Sequence, residues 1–368
     1  MKYFLIAGEA SGDLLGASLM KGILAKDPQA EFNYWGGDEM EKVAPGLCMH
    51  YKNNSIMGFV EVLLNIRTIK QNMNLCKSQI LAYHPDVLVL IDYPGFNMRM
   101  AAHGKLHGIK TCYFIAPKIW AWNEKRGKKL EQYVDLLLLI FPFESSYFKK
   151  WKVHAVYTGN PLFEQLRSFQ ADENFLQKNQ FDNKPIIALL PGSRKQEIKR
   201  MLPNMVRLAE RYPQYRFLVA GSPGLEAEFY APFLNPHVQL LFNCTRDLLA
   251  HAEAAVVCSG TASLETGFMG VPHVVGYVAQ RLTYIIGRMV VKVKYASLVN
   301  LNLGREAVKE LIQDDYNMEV LQQEFEAILK GGAKRPQILK DYEELFALFQ
   351  TGKAAENAAV EIKKLISA

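Results

Sequence analysis

Short apolar runs set between helix-length amphipathic stretches constrain this chain most. Val87–Ile91, Ile186–Leu190 and Ala254–Val257 hold no polar residue, and Val134–Phe141 is nearly as apolar. A strand covered by helices on both faces has that composition, which is the condition of a parallel sheet. Tyr3–Ala7, Phe32–Trp35 and Thr111–Ile115 extend the series in the first half. Phe217–Ala220, Val238–Phe242 and His273–Val275 extend it in the second. Amphipathic helices fill the gaps, and residues 161–185 read as a polar linker with a helix in it. Strand–helix alternation in both halves predicts an α/β fold of two doubly wound sheets facing each other. Beyond Tyr277 the pattern is helical. Residues 307–368 read as amphipathic helix in several pieces, the last returning to the first domain.

At 368 residues the chain exceeds one typical domain. Its net charge of +6 suits phosphates or an anionic surface and is too small to argue for nucleic acid. Five scattered cysteines without a Cys-x-x-Cys pair fit a reducing compartment and argue against a metal cluster. Gly8-Glu9 interrupts the apolar start too early for a signal peptide, and no run reaches the roughly 18 apolar residues of a membrane span. Any membrane contact is therefore expected to be peripheral.

Four strand-end turns carry the chemistry. Cys258-Ser259-Gly260-Thr261 leads from a strand into a helix, so backbone N–H groups and the helix dipole converge on one point fit for phosphate. Glu265, one turn on, can reach ribose hydroxyls; an ordinary N-cap with a surface glutamate is the alternative. Pro191-Gly192-Ser193-Arg194 is a second such turn, with a guanidinium suited to a diphosphate and Glu197 placed to orient it. Gly8-Glu9-Ala10-Ser11-Gly12-Asp13 is a Gly-rich turn after the first strand. It lacks the third glycine of a dinucleotide fingerprint, so it either approaches a ligand or packs helix on sheet. Asp92 emerges at the carboxyl end of Val87–Ile91, as a general base or as a helix cap.

Two further segments are unusual. From Ile56 to Leu81 a helical stripe is joined by apolar bulk around the first turns. Met57, Phe59 and Val60 there face either the core or acyl chains. Trp120 and Trp122 stand beside Lys118, Lys125, Arg126, Lys128 and Lys129, which suits a membrane surface or a solvated helix face.

In order along nearly the whole chain, these motifs resemble the lipid-A-disaccharide synthase family of inverting GT-B glycosyltransferases. The resemblance rests on Gly8–Asp13, Met57–Leu63, Ile91-Asp92 with Pro94 and Phe96-Asn97, and Trp120-Ala121-Trp122. It continues through Pro191–Arg194 with Glu197, Ser259–Ala262 with Leu264-Glu265, and Asn300 with Gly304-Arg305-Glu306. The chain departs from the family at Asn160, where histidine is usual, at Val299, where proline is usual, and at Ala116-Pro117-Lys118.

The resemblance implies transfer of 2,3-diacylglucosamine from UDP-2,3-diacylglucosamine to 2,3-diacylglucosamine 1-phosphate, giving the β-1,6 disaccharide 1-phosphate and UDP. It implies peripheral work at the inner face of a Gram-negative inner membrane, and it leaves room for a homodimer. Residues 1–163 would form the acceptor and membrane-facing domain, with 345–368 packing back on it, and 164–344 the UDP-sugar domain. Asp92 would be the base and Arg194 the stabiliser of the departing diphosphate. Gly8, Glu9, Ser11, Gly12 and Asp13 would bind substrate, and Met57, Phe59 and Val60 would take acyl chains. Gly192, Ser193, Glu197, Ser259, Gly260, Thr261, Glu265 and Asn300 would serve the donor. No Asp-x-Asp pair stands at a strand end, so neither metal nor cofactor is expected. A UDP-sugar 2-epimerase, a transferase for lipid-linked peptidoglycan precursors and a non-enzymatic nucleotide-sugar sensor are the rival readings.

Overall fold

The computed structural model describes residues 1–53, 66–122, 124–280, 284 and 293–367. Their contacts divide the chain into two compact units, Met1–Glu164 with Phe349–Ala368, and Gln165–Leu348. The apolar patch at Met57, Phe59 and Val60 and most of the segment punctuated by Arg281, Arg288 and Lys292 lie outside the described residues.

The first unit is built on a seven-stranded sheet ordered β3-β2-β1-β4-β5-β6-β7, parallel throughout. Its strands are β1 (Lys2–Ala7), β2 (Glu31–Gly36), β3 (Leu47–His50), β4 (Val87–Ile91), β5 (Lys110–Phe114), β6 (Leu136–Leu139) and β7 (Ala155–Tyr157). Alternate residues of each strand enter opposite cores, as the two-residue period requires. Tyr3, Leu5, Val87, Val89 and Ile91 face the Ala10–Lys26 helix and the final Ala354–Ser367 helix. Phe4, Ile6, Leu88 and Leu90 face the Ile66–Tyr83 and Pro94–Leu106 helices.

In the second unit, β8 (Ile186–Leu190), β9 (Arg216–Gly221), β10 (Val238–Phe242), β11 (Ala252–Cys258), β12 (His273–Tyr277) and β13 (Glu310–Ile312) form another all-parallel sheet. Its order is β10-β9-β8-β11-β12-β13. The β13 strand corrects the expectation that everything after Ala307 is helical. β3 and β7 are likewise absent from the sequence reading. All three are sheet edges of three or four residues, too short for an apolar run to announce them. Among the described residues no helix is long and apolar enough to cross a membrane.

Close helix packing joins the chain ends within the first unit. A Cβ on Gly22 would stand 2.6 Å from the Ala355 carbonyl oxygen, so the glycine sets how near the final helix lies. Phe163 stacks near Phe349 at 5.9 Å, and the Asn357 side chain donates to the Thr158 carbonyl at 3.0 Å. Gly22→Val is expected to force these helices apart and to cost roughly 1–3 kcal/mol, the usual penalty of overpacking. A urea unfolding midpoint equal to that of the unsubstituted protein would contradict this packing.

Candidate functional site

In an open parallel sheet, ligands settle at the carboxyl ends of strands where the strand order reverses, because the flanking helices there diverge to opposite faces. The first sheet reverses between β1 and β4, the second between β8 and β11. All four motif-bearing turns leave these strands. Gly8–Asp13 follows β1 and Asp92 follows β4, while Pro191–Arg194 follows β8 and Ser259–Thr261 follows β11.

At the first switch point the backbone is strained. Asp92 and Tyr93 both adopt left-handed conformations, with φ of 45° and 48°, which is costly for side chains bearing a Cβ. Three donors or acceptors hold the pair in place. The Asp92 N–H donates to the Phe114 carbonyl at 3.1 Å, and the Asp92 carbonyl accepts from Asn97 Nδ2 at 2.8 Å and Tyr113 Oη at 2.6 Å. Asn97 also donates to the carbonyls of Ile6 and Ile91, so one buried amide binds the ends of β1 and β4 together. Its Oδ1 is buried without a partner. Gly8 makes room for the Tyr93 ring, which lies 2.5 Å from where a Cβ would be.

Asp92 is exposed at the surface. Crowding by protein raises its carboxyl above the usual aspartate range, opposed by the Lys118 charge and the Tyr93 N–H. Among the sequence-predicted neighbours, Glu9 is half-buried and Ser11 exposed.

Asp13 corrects the sequence expectation. It is 2% exposed, and its carboxylate accepts from the backbone N–H groups of Gly37 (2.7 Å), Glu39 (2.9 Å) and Met40 (3.1 Å). It closes the turn after β2 and has no capacity directed at a substrate. Gly12 serves the same packing, with Ala7 Cβ at 3.3 Å from its missing side chain. Of the turn's two proposed roles, close helix–sheet packing therefore accounts for Gly12 and Asp13.

In the second unit the two turns lie side by side, since β8 and β11 pair through Leu190 and Val257. Gly260 (φ 148°) lets the chain enter the Thr261–Phe268 helix without a side-chain cap, so its first N–H groups have no cap from that source. The other turn differs from expectation. The Glu197 Oε2 atom accepts from the N–H groups of Ser193 and Arg194, both at 3.3 Å, while Oε1 accepts from the Arg194 guanidinium at 3.2 Å. Glu197 thus orients the arginine and also fills the backbone anion position that the sequence assigned to phosphate. Arg194 itself remains 83% exposed in its side chain.

Glu265 is paired with Arg246, Nε to Oε1 at 3.0 Å, and Arg246 in turn donates to Gln165 at 2.9 Å. Arg246 carried no sequence signal, since an arginine beside an aspartate opening a short helix is unremarkable. Asn300 is a second correction. It is 0% exposed; Nδ2 donates to the Val308 carbonyl and Glu310, and Oδ1 accepts from the Ala307 and Val308 N–H groups. Its hydrogen-bonding capacity is spent inside the protein, so it shapes the loop and does not touch a donor. Asn160 is also structural, capping the Pro161–Arg167 helix through Leu162 and Phe163 N–H groups. Trp120 is no surface anchor: it is buried and donates to buried Glu144 at 3.0 Å.

Beneath the Ser259–Thr261 turn runs a buried polar chain. His273 Nδ1 lies 3.1 Å from the Val271 carbonyl, which can only accept, so Nδ1 carries the proton and Nε2 accepts from Ser263 Oγ at 2.9 Å. Ser263 Oγ lies 3.0 Å from Ser297 Oγ, and the latter accepts the Val299 N–H. Tyr342 Oη completes the chain 2.8 Å from Nδ1. An imidazolium would set a second N–H against the Ser263 hydroxyl.

Burial pushes His273 from 6.5 down to about 4. A depressed histidine contributes stability in full above 6.5, and loses it as pH falls toward 4, because the unfolded chain then binds the extra proton. Buried Glu144, raised from 4.5 to about 7 by desolvation, acts with the opposite sign, favouring the folded state as pH falls through that window. The comparison of His273→Gln with the parent isolates the histidine. Between pH 6.5 and 4 the parent should lose stability more steeply, by about 1.4 kcal/mol per pH unit. Equal slopes in denaturation would place the imidazole in water.

The family model for lipid-A-disaccharide synthetase matches residues 3–364. A lipid-A-disaccharide synthase from Coxiella burnetii is 34% identical over 367 residues, covering 98% of each chain. One from Myxococcus xanthus is 34% identical over 375 residues, covering 99% of this chain and 97% of its own. Among solved structures, the S. aureus MnaA–UDP co-structure superposes with a TM-score of 0.69 at 12% identity, covering 100% of this chain and 97% of the other. The kitacinnamycin glycotransferase gives 0.67 at 12% identity, with 99% of both chains covered. Those structures share the two-domain GT-B architecture, and the sequence match is specific: this chain belongs to the lipid-A-disaccharide synthase family.

Proposed function

We propose that the protein transfers 2,3-diacylglucosamine from UDP-2,3-diacylglucosamine to 2,3-diacylglucosamine 1-phosphate, forming the β-1,6-linked disaccharide 1-phosphate and releasing UDP. The carrying observation is the family match from residue 3 to 364, with the family's motifs falling on both switch points.

The chemistry follows from those positions. Asp92 takes the proton of the acceptor 6-hydroxyl as that oxygen bonds to the donor anomeric carbon. The bond from that carbon to the diphosphate breaks on the opposite face, inverting the centre. Lys118 and the Tyr93 N–H favour the ionised carboxylate that a base requires, against the crowding that raises it. Charge developing on the diphosphate is met by the exposed Arg194 guanidinium and by the N–H groups opening the Thr261–Phe268 helix. Ser193 and Gly192 act indirectly, as the turn that Glu197 locks behind Arg194. Glu265 accepts from the ribose hydroxyls while Arg246 holds one of its oxygens. The work is peripheral, at a membrane surface where acylated sugars reside.

The direct experiment mixes purified protein with both acylated sugars and identifies products by mass. Release of UDP only when an acylated acceptor is present separates transfer from epimerisation. Asp92→Asn is expected to lower turnover by about 10²–10⁴-fold, the range of a lost general base. UDP binding by calorimetry should remain as in the parent. Undiminished turnover in that variant removes Asp92 from the mechanism, and lost UDP binding would mean that it acts through the fold.

A further inference from the structure

One wall of the first unit gathers seven cations from two segments of the chain. Residues Lys125, Arg126, Lys128 and Lys129 precede or open the Gly127–Tyr133 helix, and Lys149, Lys150 and Lys152 follow the Pro142–Phe148 helix. Three ties bring the two groups together. Glu124 pairs with Lys150, the Lys152 N–H donates to Glu131 at 2.6 Å, and Gly127 lies against the Trp151 indole so closely that a Cβ would overlap the ring. Lys150 also sits 3.8 Å above the Tyr147 ring.

Residues 124–152 carry seven cations and four carboxylates, Glu124, Glu131, Asp135 and Glu144. The nearby Asp135 is taken by Lys105 and Thr111, and Glu144 is buried. All of these cations except half-buried Arg126 are exposed. Isolated lysines scatter over most surfaces, but here two segments some twenty residues apart are pinned so that their charges add.

We infer that this wall is the docking surface for an anionic phospholipid bilayer, with Trp151 and Tyr147 beneath the cations as its rigid support. The inference rests on the peripheral membrane reading above and names the surface that serves it. A plane of anionic headgroups satisfies a broad, shallow set of lysines, whereas a single phosphate would need convergent donors, which exposed side chains on two helices do not supply. Each cation near such a plane contributes about 1 kcal/mol, so the wall is worth several powers of ten in partitioning.

The test is sedimentation with vesicles of phosphatidylglycerol and phosphatidylethanolamine, against vesicles of phosphatidylcholine alone. The unsubstituted protein should bind the anionic vesicles, less so as salt rises. Changing Lys125, Lys128, Lys129 and Lys152 to Gln should reduce partitioning by roughly several-hundred-fold. The equal charge loss of Lys21, Lys110, Lys363 and Lys364 to Gln should change it little, and transfer between detergent-dispersed acyl sugars should persist in both variants. Equal binding by the two variants overturns the assignment of this wall while leaving peripheral binding intact. Failure of the unsubstituted protein to bind either vesicle overturns both. Binding to a short RNA in place of the anionic vesicles would reassign the wall to nucleic acid.

Discussion

Everything chemical in this chain depends on where two parallel sheets reverse their strand order. Between β1 and β4, and again between β8 and β11, neighbouring strands send their following helices to opposite faces. The carboxyl ends at such reversals are where an open parallel sheet offers room for a ligand. Asp92 still bears a desolvation cost there, which raises its carboxyl and which the Lys118 charge and the Tyr93 N–H oppose. Asp92 and the Ser259–Thr261 turn stand at these two reversals, directly after β4 and β11.

The price is strain. Two successive left-handed residues at Asp92 and Tyr93 persist only because Asn97, Tyr113 and Phe114 fix the Asp92 backbone from three directions. Asn97 does this from the helix after β4, reaching the Ile6 carbonyl of β1, so the same amide that holds the Asp92 backbone also ties the two strand ends together. The geometry of Asp92 and the pairing of the two strands are one constraint.

That arrangement explains what the sequence made legible. Central strands announced themselves because burial on both faces demands unbroken apolar runs, and Val87–Ile91 is buried at every position. The edges β3, β7 and β13 gave no such signal, being short and half-solvated. Strand-end turns were equally readable as positions, since glycine and small polar residues mark them. Their individual roles were not. Asp13 and Asp92 are both aspartates in the turn after a parallel strand, yet one is buried under three backbone N–H groups and the other is exposed. Nothing in local sequence distinguishes them, because the partners of Asp13 come from residues 37–40, on the far side of another strand.

The same ambiguity governs the second unit, and there it has a mechanistic consequence. Glu197 sits where an anion would sit, bound by the Ser193 and Arg194 N–H groups. A resident carboxylate satisfies those N–H groups without ligand and pairs with the Arg194 guanidinium, which stays largely exposed. The neighbouring Gly260 turn has no side-chain cap among the described residues. Two turns of similar sequence on paired strands are therefore built differently, one closed by its own glutamate and the other not. Arg246 extends the pattern, since it pairs with one oxygen of Glu265. In both places an internal ion pair fixes the charged side chain that follows a strand-end turn.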